Sequence, residues 1–423
     1  MTRLTFLGAM NEVGASGILL EDGGSRVVLD YGTKVQDEPP SYPHRVRGKI
    51  DAALLSHAHL DHSGGLAVLT RYFKCPVYAP KVNKQLVDML LKDSLKIAKR
   101  ENFPVPFNKE DVKQTIKKFK VIEYRKPFTV GRKNNTKVTA YDAGHIPGSC
   151  MLLVETDKGE RILYTGDFNT EDTRLLKGAD IDLPDIDVLI TECTYAERDH
   201  PDRKAEEKKL VGRVRTTLED SGIAILSSFA IGRTQEILLI LNRYGIDYPL
   251  YMDGMAKKAT TIINSHPEHL RYKKELDDAL KKVEYVNNEK QRKRSINNPC
   301  AVLTTSGMLN GGPVVWYLEK LHDNPRNSLT MTGYQVEDSA GYGMLQTGRF
   351  VHDETDLKMK MDYTRLDFSS HTGRKDLLGF IDKVNPKKVF CVHGDNTAGF
   401  ANELKAKGYD AQAPVDDNRT FEV

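Results

Sequence analysis

Residues 54–66 read LLSHAHLDHSGGL and place three histidines and an aspartate within six positions, directly after a short apolar run. Alternate side chains of an extended segment point the same way, so His57 and His59 can reach one ion together. The Ser-Gly-Gly tripeptide that follows permits a tight turn into a helix, which directs Asp61 and His62 toward a second position. Imidazole and carboxylate donors without thiolate suit Zn²⁺, with Mn²⁺ as an alternative.

Two ions need more than these four ligands, and further candidates lie where apolar runs meet Gly-bearing loops. His145 lies in AGHIPGS, Asp167 in LYTGDFN and His393 in VFCVHGD. Asp30, near the end of RVVLDYG, is a candidate acceptor that orients a ligand histidine. The arrangement permits one ion on His57, His59 and His145, and another on Asp61, His62 and His393, with Asp167 bridging. Six other histidines lack this context and are expected to be ordinary surface or core residues: His44, His200, His266, His269, His322 and His352.

Composition restricts the class of protein. The chain has 423 residues, 39% of them hydrophobic, and a net charge of +3, which by itself does not indicate nucleic-acid binding. Its five cysteines are scattered without a CxxC pair, which argues against a disulfide framework or a thiolate zinc site and favours a reducing compartment such as the cytoplasm. No signal peptide is expected, and no run approaches the roughly 18 apolar residues of a membrane span.

The pattern of predicted strands and helices changes twice along the chain. Short strand-like runs dominate the beginning, whereas helical and strand patterns alternate after about Tyr195, which suggests a parallel sheet with covering helices. Near Gly348 the pattern of the first part of the chain resumes. We therefore predict an α/β protein in which residues 1–194 and 350–423 form one domain and residues 195–349 an inserted domain with a mainly parallel sheet.

Two further residues have the character of an acid–base pair. Glu192, in LITECTY, follows an apolar strand, where a carboxylate is costly without a partner. His371, in DFSSHTGRKDL, precedes a predicted helix. Such a pair could hold an imidazolium ready to protonate a leaving alkoxide. The competing interpretation of Glu192 is a strand-end carboxylate that accepts hydrogen bonds from backbone amides.

The inserted region contains two similar strand–loop–helix junctions. ILSSFAIGRTQEIL includes Ser228 and Arg233, and VLTTSGMLNGGPVVWYL includes Ser306 and Gly307. Free amides at helix N-termini attract anions, and hydroxyl and guanidinium groups add donors, so these four residues are candidate phosphate-binding groups. Taken singly, each junction is equally well explained as an ordinary cap or turn.

The pattern from His57 to His62, followed by His145, Asp167 and His393, resembles the metallo-β-lactamase superfamily. The resemblance implies an αββα sandwich, two face-to-face sheets between helices, with a dinuclear zinc site at one edge. Two neighbouring ions lower the pKa of water and neutralise charge on a phosphoryl or acyl oxygen. This site alone does not distinguish phosphodiesters from lactams, thioesters or sulfate esters.

Motifs outside the ligand set resemble the β-CASP group of nucleases over nearly the whole chain. LITECTY is similar to the acidic motif of that group and SSHTGRKDL to its histidine motif, which implies that Glu192 orients His371 as general acid. VHGD is similar to the last motif, in which histidine, here His393, accompanies RNA substrates. FAIGRTQE and TSGMLNGG resemble its substrate loops. The sequences of these motifs are most similar to those of archaeal and bacterial relatives of the endonuclease subunit of cleavage and polyadenylation specificity factor. Among these, the relatives that lack KH domains are the better match.

The expected protein is a zinc-dependent ribonuclease that cleaves single-stranded RNA by a two-metal hydroxide mechanism, leaving a 5′-phosphate and a 3′-hydroxyl. Endonuclease and 5′-to-3′ exonuclease modes both stay open, and the resemblance allows a homodimer. Rival interpretations are a DNA nuclease, disfavoured by His393, and a small-ester hydrolase, which would not need the insertion. An inactive RNA-binding subunit is disfavoured because all the ligand positions are filled.

Overall fold

The computed structural model describes residues 2–131 and 136–423. Its contacts divide the chain into two compact units. The first unit comprises the chain through Asp172, Gly178–Asp199 and His371–Val423, and the second comprises Thr173–Lys177 and His200–Ser370. Strands and helices are numbered below in chain order.

The first unit contains two seven-stranded sheets. The strands of one sheet are β1 (Arg3–Gly8), β2 (Gly17–Asp22), β3 (Ser25–Tyr31), β4 (Ala52–Leu54), β5 (Val77–Pro80), β6 (Phe119–Ile122) and β22 (Thr420–Glu422), in the order β22-β1-β2-β3-β4-β5-β6. Those of the other are β7 (Phe128–Val130), β8 (Thr136–Asp142), β9 (Cys150–Glu155), β10 (Arg161–Tyr164), β11 (Val188–Glu192), β20 (Lys388–Val392) and β21 (Asp410–Gln412), in the order β21-β20-β11-β10-β9-β8-β7.

The two sheets bury a shared apolar core between them. Successive side chains of a strand point to opposite faces, so alternate residues of each strand enter this layer. Phe6 of β1 contacts Phe390 of β20, with ring centroids 5.1 Å apart. The same core includes, among others, Leu4, Leu20, Leu29, Leu54, Leu152, Val154, Ile162 and Ile190.

Helices cover the outer faces of these sheets. The helices of the first unit are α1 (Leu60–Ser63), α2 (Leu66–Phe73), α3 (Lys81–Arg100), α4 (Lys109–Lys117), α12 (Arg374–Val384) and α13 (Thr397–Ala406). Leu377 and Phe380 of α12, with Phe400 of α13, pack with Leu163 and Leu189, which face away from the shared core. On the other sheet, α2 contacts β3, and α3 contacts β5 and β6. These layers confirm the predicted αββα sandwich.

The second unit is built on a six-stranded sheet in which every described strand pair is parallel. Its strands are β12 (Ile223–Ser227), β13 (Leu250–Asp253), β14 (Val283–Val286), β15 (Cys300–Thr304), β16 (Ser328–Met331) and β19 (Asp362–Arg365), in the order β14-β13-β15-β12-β16-β19. A separate hairpin is formed by β17 (Arg349–His352) and β18 (Thr355–Lys358). The predicted inserted α/β domain with a mainly parallel sheet is confirmed.

Helices accompany these strands along the chain. They are α5 (Arg203–Glu219), α6 (Arg233–Arg243), α7 (Ala256–Asn264), α8 (Lys273–Leu280), α9 (Glu289–Ser295), α10 (Pro313–Leu321) and α11 (Ala340–Thr347), with a short 3₁₀ turn at Pro267–His269. Among the described residues, no helix is both long and apolar enough to cross a membrane.

The C-terminal limit of the second unit lies at Ser370. The reason is β19, whose residues Asp362 and Arg365 pair in parallel with Ser328 and Met331 of β16. The sheet of the second unit therefore takes its edge strand from a segment beyond residue 349. The predicted domain bounds at 194/195 and 349/350 stay predictions.

Candidate metal centre

The candidate ligands lie in the first unit, at the ends of strands or in the loops that follow them. His57 follows β4, Asp167 follows β10, and His393 follows β20. His145 lies in the loop between β8 and β9. The remaining three belong to the start of α1, where His59 is the N-cap and Asp61 and His62 lie within the helix.

Close backbone contacts fix α1 against the end of β3. The amide of Ser16 donates to the carbonyl oxygen of Asp61 at 2.8 Å, and that of Thr33 donates to Leu60 at 2.9 Å. A Cβ atom on Gly32 would lie 1.7 Å from the same Asp61 oxygen. Glycine at position 32 is therefore required for this approach, which sets the positions of Asp61 and His62.

One cluster of donors is formed by His57, His59, His145 and Asp167, whose donor atoms all lie within 4.8 Å of one another. His145 Nε2 is 3.1 Å from His59 Nδ1. Asp167 Oδ2 lies 3.5 Å from His57 Nε2 and 3.7 Å from His145 Nε2. The predicted first ligand set is thus brought together around one point.

A second cluster is formed by Asp61, His62, Asp167 and His393, again with donor atoms within 4.8 Å. Asp61 Oδ2 lies 3.8 Å from His62 Nε2 and 3.6 Å from His393 Nε2. Asp167 Oδ1 is 3.2 Å from His62 Nε2 and 3.7 Å from His393 Nε2. Asp167 belongs to both clusters and turns a different carboxylate oxygen toward each.

Burial and neighbouring charge suit His57 and Asp167 to a cation. Burial, with the charge of His62 second, lowers the pKa of His57 well below its usual value, which keeps the imidazole in its ligand form. Burial alone would raise the pKa of Asp167, but the surrounding histidines, His62 first and His393 next, hold it well below its usual range. Asp167 is therefore an ionised carboxylate inside the cluster.

Three donor atoms of the candidate ligands are buried and have no hydrogen-bond partner among the described residues: His57 Nε2, Asp167 Oδ1 and His393 Nε2. Each points into one of the two clusters, and buried polar atoms are costly without a partner. Nitrogen and carboxylate oxygen donors at this spacing are the ligand types that zinc and related divalent ions take. The residues present fit a metal, and the cluster is a metal-binding site.

Asp30 lies behind the second cluster and is fully buried. Its carboxylate accepts hydrogen bonds from His62 Nδ1 at 2.7 Å, Ser56 N at 2.7 Å, Ser56 Oγ at 2.6 Å and Tyr164 Oη at 2.8 Å. The bond to Nδ1 leaves His62 Nε2 directed at Asp61 and Asp167. This is the geometry predicted for an aspartate that orients a ligand histidine.

Three further groups support the ligands, and none of them was predicted from the sequence. Ser16 Oγ lies 3.0 Å from His393 Nδ1, and this hydrogen bond leaves His393 Nε2 facing the second cluster. Ser56 and Tyr164 satisfy Asp30, as described above. Ser56 could have been predicted from the sequence, because it directly precedes His57. Ser16 and Tyr164 lie in no sequence motif that indicates such a role.

Glu192 and His371 form a direct pair at the edge of the first cluster. His371 Nδ1 donates to Glu192 Oε2 at 2.7 Å, while His371 Nε2 lies 4.0 Å from Asp167 Oδ2. Burial alone would lower the pKa of His371, but Glu192 and then Asp167 outweigh it and raise the pKa to about 9. Glu192 Oε1 also accepts from the amide of Phe168 at 2.8 Å, so this carboxylate bonds both to His371 and to a backbone amide.

The four candidate phosphate-binding residues lie in the second unit, beyond the carboxyl ends of β12 and β15. Ser228 Oγ is hydrogen-bonded to Thr332 Oγ1 at 2.8 Å, and Arg233 Nη1 donates to the Thr332 carbonyl. Ser306 Oγ is buried and has no hydrogen-bond partner among the described residues, and the position of a Cβ on Gly307 is 3.2 Å from the ring of Phe229. The side chains of Ser228 and Arg233 therefore also hold the loop after β16.

The six histidines outside the motifs lie apart from both clusters in the described part of the chain. His44 pairs with Asp416 at 2.8 Å and His200 with Asp367 at 3.3 Å. His266 contacts Glu268 at 3.1 Å. Burial, the largest influence, lowers the pKa of His269 to about 4.

Three family models match successive parts of the chain. A Metallo-beta-lactamase superfamily domain matches residues 19–189, a Beta-Casp domain matches residues 234–344, and a Zn-dependent metallo-hydrolase RNA specificity domain matches residues 356–414. Fold and site thus define a metallo-hydrolase of the metallo-β-lactamase class that carries an inserted domain.

Curated relatives extend this match over nearly the whole chain. A "Probable RNase MJ4" of Methanocaldococcus jannaschii is 39% identical over 97% of this chain and 98% of its own length. "RNase aCSPSF2" of Saccharolobus solfataricus is 34% identical over 95% of this chain and 81% of its own, and "Transcription termination factor FttA" of Methanothermobacter thermautotrophicus is 35% identical over 93% and 67%. The chain belongs to the β-CASP ribonuclease group of the metallo-β-lactamase superfamily, which confirms the resemblance read from its motifs.

A solved structure shares the fold at low sequence identity. The crystal structure of a protein of unknown function from Enterococcus faecalis is similar over 100% of both chains, with a TM-score of 0.61 and 16% identity. This likeness concerns the fold alone.

Proposed function

We propose that this protein is a metal-dependent ribonuclease that hydrolyses phosphodiester bonds of single-stranded RNA. One observation carries the proposal: two donor clusters share Asp167, and His371 Nε2 faces that same carboxylate at 4.0 Å. A hydrolase with a proton donor beside a two-cation site suits an ester whose leaving group is a poor one. The names of the relatives, RNase in two cases, support RNA as the substrate.

The metal set proposed for the site is two Zn²⁺, with Mn²⁺ as the alternative. His57, His59 and His145 would hold one ion, and Asp61, His62 and His393 the other, with Asp167 between them. When bound, the ions supply Lewis acidity that lowers the pKa of water and neutralises phosphoryl charge. Elemental analysis of the purified protein tests the identity and number, and a stoichiometry near one ion would contradict the shared role of Asp167.

The chain itself supplies the proton for the leaving group. In the proposed reaction, a water molecule loses one proton to bulk solvent, and the hydroxide that is left forms the new bond to phosphorus. The P–O3′ bond breaks, and His371 Nε2 donates its proton to O3′ and later takes up another from solvent, leaving a 5′-phosphate and a 3′-hydroxyl. Glu192 accepts a hydrogen bond from His371 Nδ1, so the proton on Nε2 of the imidazolium is the one that would face the reacting oxygen. Asp30 and Ser16 keep His62 and His393 in fixed tautomers.

Ser228, Arg233, Ser306 and Gly307 are proposed to contact substrate phosphates in the second unit. Ser306 has the clearest support, because its buried hydroxyl has no hydrogen-bond partner among the described residues. Arg233 contributes positive charge close to the same loops. Variants of Ser306 should therefore alter the RNA concentration at half-maximal rate more than the maximal rate.

The deciding experiment compares substrates with and without chelator. Metal-loaded protein is incubated with labelled single-stranded RNA, the DNA of the same sequence, and nitrocefin, a chromogenic β-lactam. Cleavage of RNA alone, abolished by chelator and restored by Zn²⁺ or Mn²⁺, supports the proposal. Intact RNA refutes it. Preferential cleavage of DNA would instead support the DNA nuclease, and preferential cleavage of nitrocefin a hydrolase of small molecules.

A circular RNA beside a linear one determines the mode of attack. Only an endonuclease opens a circle, whereas a 5′-to-3′ exonuclease degrades the linear form alone.

We further propose a cytoplasmic location for the enzyme, because its five cysteines are buried and free, which suits a reducing compartment. A homodimer is proposed from the resemblance, and light scattering of the purified protein tests it.

A further inference from the structure

The sheet of the second unit presents several loops at the carboxyl ends of its strands. In parallel α/β sheets, ligands bind in the crevice outside these ends, where strand order reverses along the chain. Strand β12 lies between β15 and β16, and the loops that follow all three meet through the Ser228–Thr332 hydrogen bond and the packing of Gly307 on Phe229. The loop after β16 continues as Gly333, Tyr334 and Gln335.

Tyr334 is an aromatic side chain at this edge that remains exposed, with 40% of its surface accessible. The guanidinium carbon of Arg365 lies over its ring, 5.9 Å from the centroid. Arg365 is the last residue of β19 and pairs in register with Met331, the last residue of β16. An aromatic ring and a cation are thus presented side by side at the ends of two neighbouring strands.

The positive charge of Arg365 is not neutralised by an ion pair within the described residues. The carboxylate of Asp367, two residues further on, is engaged elsewhere: Oδ2 lies 3.3 Å from His200 Nδ1, and Oδ1 accepts from Ser369 N at 3.0 Å. A guanidinium held against a ring without a carboxylate is available to a phosphate or a base.

The backbone around Tyr334 is fixed. The amide nitrogen of the Gln335 side chain donates to the carbonyls of Gly307, Gly333 and Tyr334 at 3.0, 3.1 and 3.1 Å. On the other side, a Cβ on Gly333 would lie 3.0 Å from both Phe229 and Arg233, so the glycine is tightly packed. The exposed ring is therefore presented by a rigid loop, which reduces the entropy lost when a ligand stacks on it.

We propose that Tyr334, backed by Arg365, is a stacking site for one nucleobase of single-stranded RNA. Single-stranded nucleic acid is bound by rings that stack on bases and by cations that contact the backbone, and such stacking tolerates any base. The inference rests on the proposed ribonuclease function and deepens it by assigning a base contact to the second unit. It predicts recognition of unpaired nucleotides without sequence preference at this position.

A second tyrosine–arginine pair provides a matched control. Tyr272 is also exposed, at 49%, and Arg271 lies over its ring at 5.0 Å. This pair lies between the 3₁₀ turn and α8, not in a loop that directly follows a strand, and Arg271 Nη1 donates to the Thr173 carbonyl at 2.9 Å. Loss of a generic surface ring is therefore measured by Tyr272→Ala, and loss of the proposed stacking site by Tyr334→Ala.

The test uses the metal-loaded full chain and an oligouridine RNA, with a second series in which one nucleotide at a time is abasic. Tyr334→Ala should raise the RNA concentration at half-maximal cleavage rate about tenfold, leaving the maximal rate within about twofold. Tyr334→Phe should restore the wild-type value because the ring is retained, and Tyr272→Ala should change nothing. At one position, the abasic substitution should weaken wild type to the same extent and the Tyr334→Ala variant no further.

Other outcomes distinguish a failure of the stacking-site proposal from a failure of the ribonuclease proposal. If wild type cleaves RNA and Tyr334→Ala does so with an unchanged half-saturating concentration, the stacking site is refuted while the ribonuclease proposal stands. Equal losses for Tyr334→Ala and Tyr334→Phe would also refute it, since the ring would then not be the active feature. Wild type that neither binds nor cleaves RNA overturns both proposals. Thermal unfolding of each variant checks that the fold is retained.

Discussion

Glu192 holds two different parts of the site with its two carboxylate oxygens. Oε2 accepts a hydrogen bond from His371 Nδ1 at 2.7 Å, and Oε1 accepts one from the backbone amide of Phe168 at 2.8 Å. Phe168 immediately follows Asp167, so one buried carboxylate fixes both the ring of His371 and the chain that carries the shared ligand. Because both oxygens are occupied, we interpret Glu192 as a positioning residue and not as a metal ligand.

Replacing Glu192 by glutamine keeps the shape of the side chain and removes its charge. We expect RNA cleavage to fall about a hundredfold, because His371 loses the anion that stabilises its protonated form. Metal content should stay at the wild-type level. Single-turnover cleavage together with elemental analysis measures both quantities.

Glu403→Gln is the control for Glu192→Gln. Glu403 also lies in the first unit, where it pairs with Arg374 at 2.6 Å and is 30% exposed. The Glu403→Gln variant should cleave RNA at the wild-type rate. A Glu192→Gln variant of normal activity would remove the proposed role of the pair.

Asp30→Asn tests the hydrogen bonds behind His62. Asn tolerates the positive φ of 54° at this position, so the backbone is preserved. The amide offers one acceptor oxygen where the carboxylate accepts four hydrogen bonds, and metal affinity should fall about 10- to 100-fold. Competition with a chromophoric chelator measures it.

Tyr164→Phe removes a single one of those four bonds. It should cost about 1 kcal/mol of folding stability and change metal affinity far less than Asp30→Asn does. Equal affinities in wild type and Asp30→Asn would show that the carboxylate does not orient a ligand.

Removal of the metal should destabilise the first unit as well as abolish cleavage. A ligand that binds only the folded state, at a thousand times its dissociation constant, adds about 4 kcal/mol of stability. Chelator should therefore lower the unfolding midpoint of the wild type and have much less effect on Asp167→Ala, which has lost the shared carboxylate.

His44→Ala serves as the matched histidine control in this comparison, since His44 pairs with Asp416 outside both clusters. It should respond to chelator as wild type does. An unfolding midpoint that is insensitive to chelator in all three proteins would argue against a bound metal.

Gly32→Ala tests the close approach of α1 to the end of β3. The added Cβ would lie 1.7 Å from a backbone oxygen of Asp61, so the helix or the strand must shift. We expect a loss of about 3 kcal/mol of stability, together with weaker metal binding. Thermal unfolding and metal titration measure these effects.

Gly379→Ala is the corresponding harmless change in the same unit. A Cβ there meets nothing within 4 Å, and Gly379 lies inside α12, where alanine should add about 1 kcal/mol. If Gly32→Ala were as stable as Gly379→Ala, the packing of Asp61 against residue 32 would not constrain the site.

The sequence by itself determined the local half of the metal centre. Four of the seven candidate ligands lie between His57 and His62, and a strand end followed by a helical turn brings them near one another whatever the rest of the chain does. The change from scattered strands to alternating strands and helices likewise determined the α/β class and the inserted domain, because each pattern reflects which faces are buried.

Only the tertiary structure decided how distant segments meet. Asp167 and His393 face the same cluster because β10, β11 and β20 are parallel neighbours, with Glu192 in register with Val392. Pairing of this kind depends on contacts far apart in sequence, which no local pattern encodes. For the same reason Ser16 was not found as the partner of His393, and the membership of β19 in the second sheet was not foreseen.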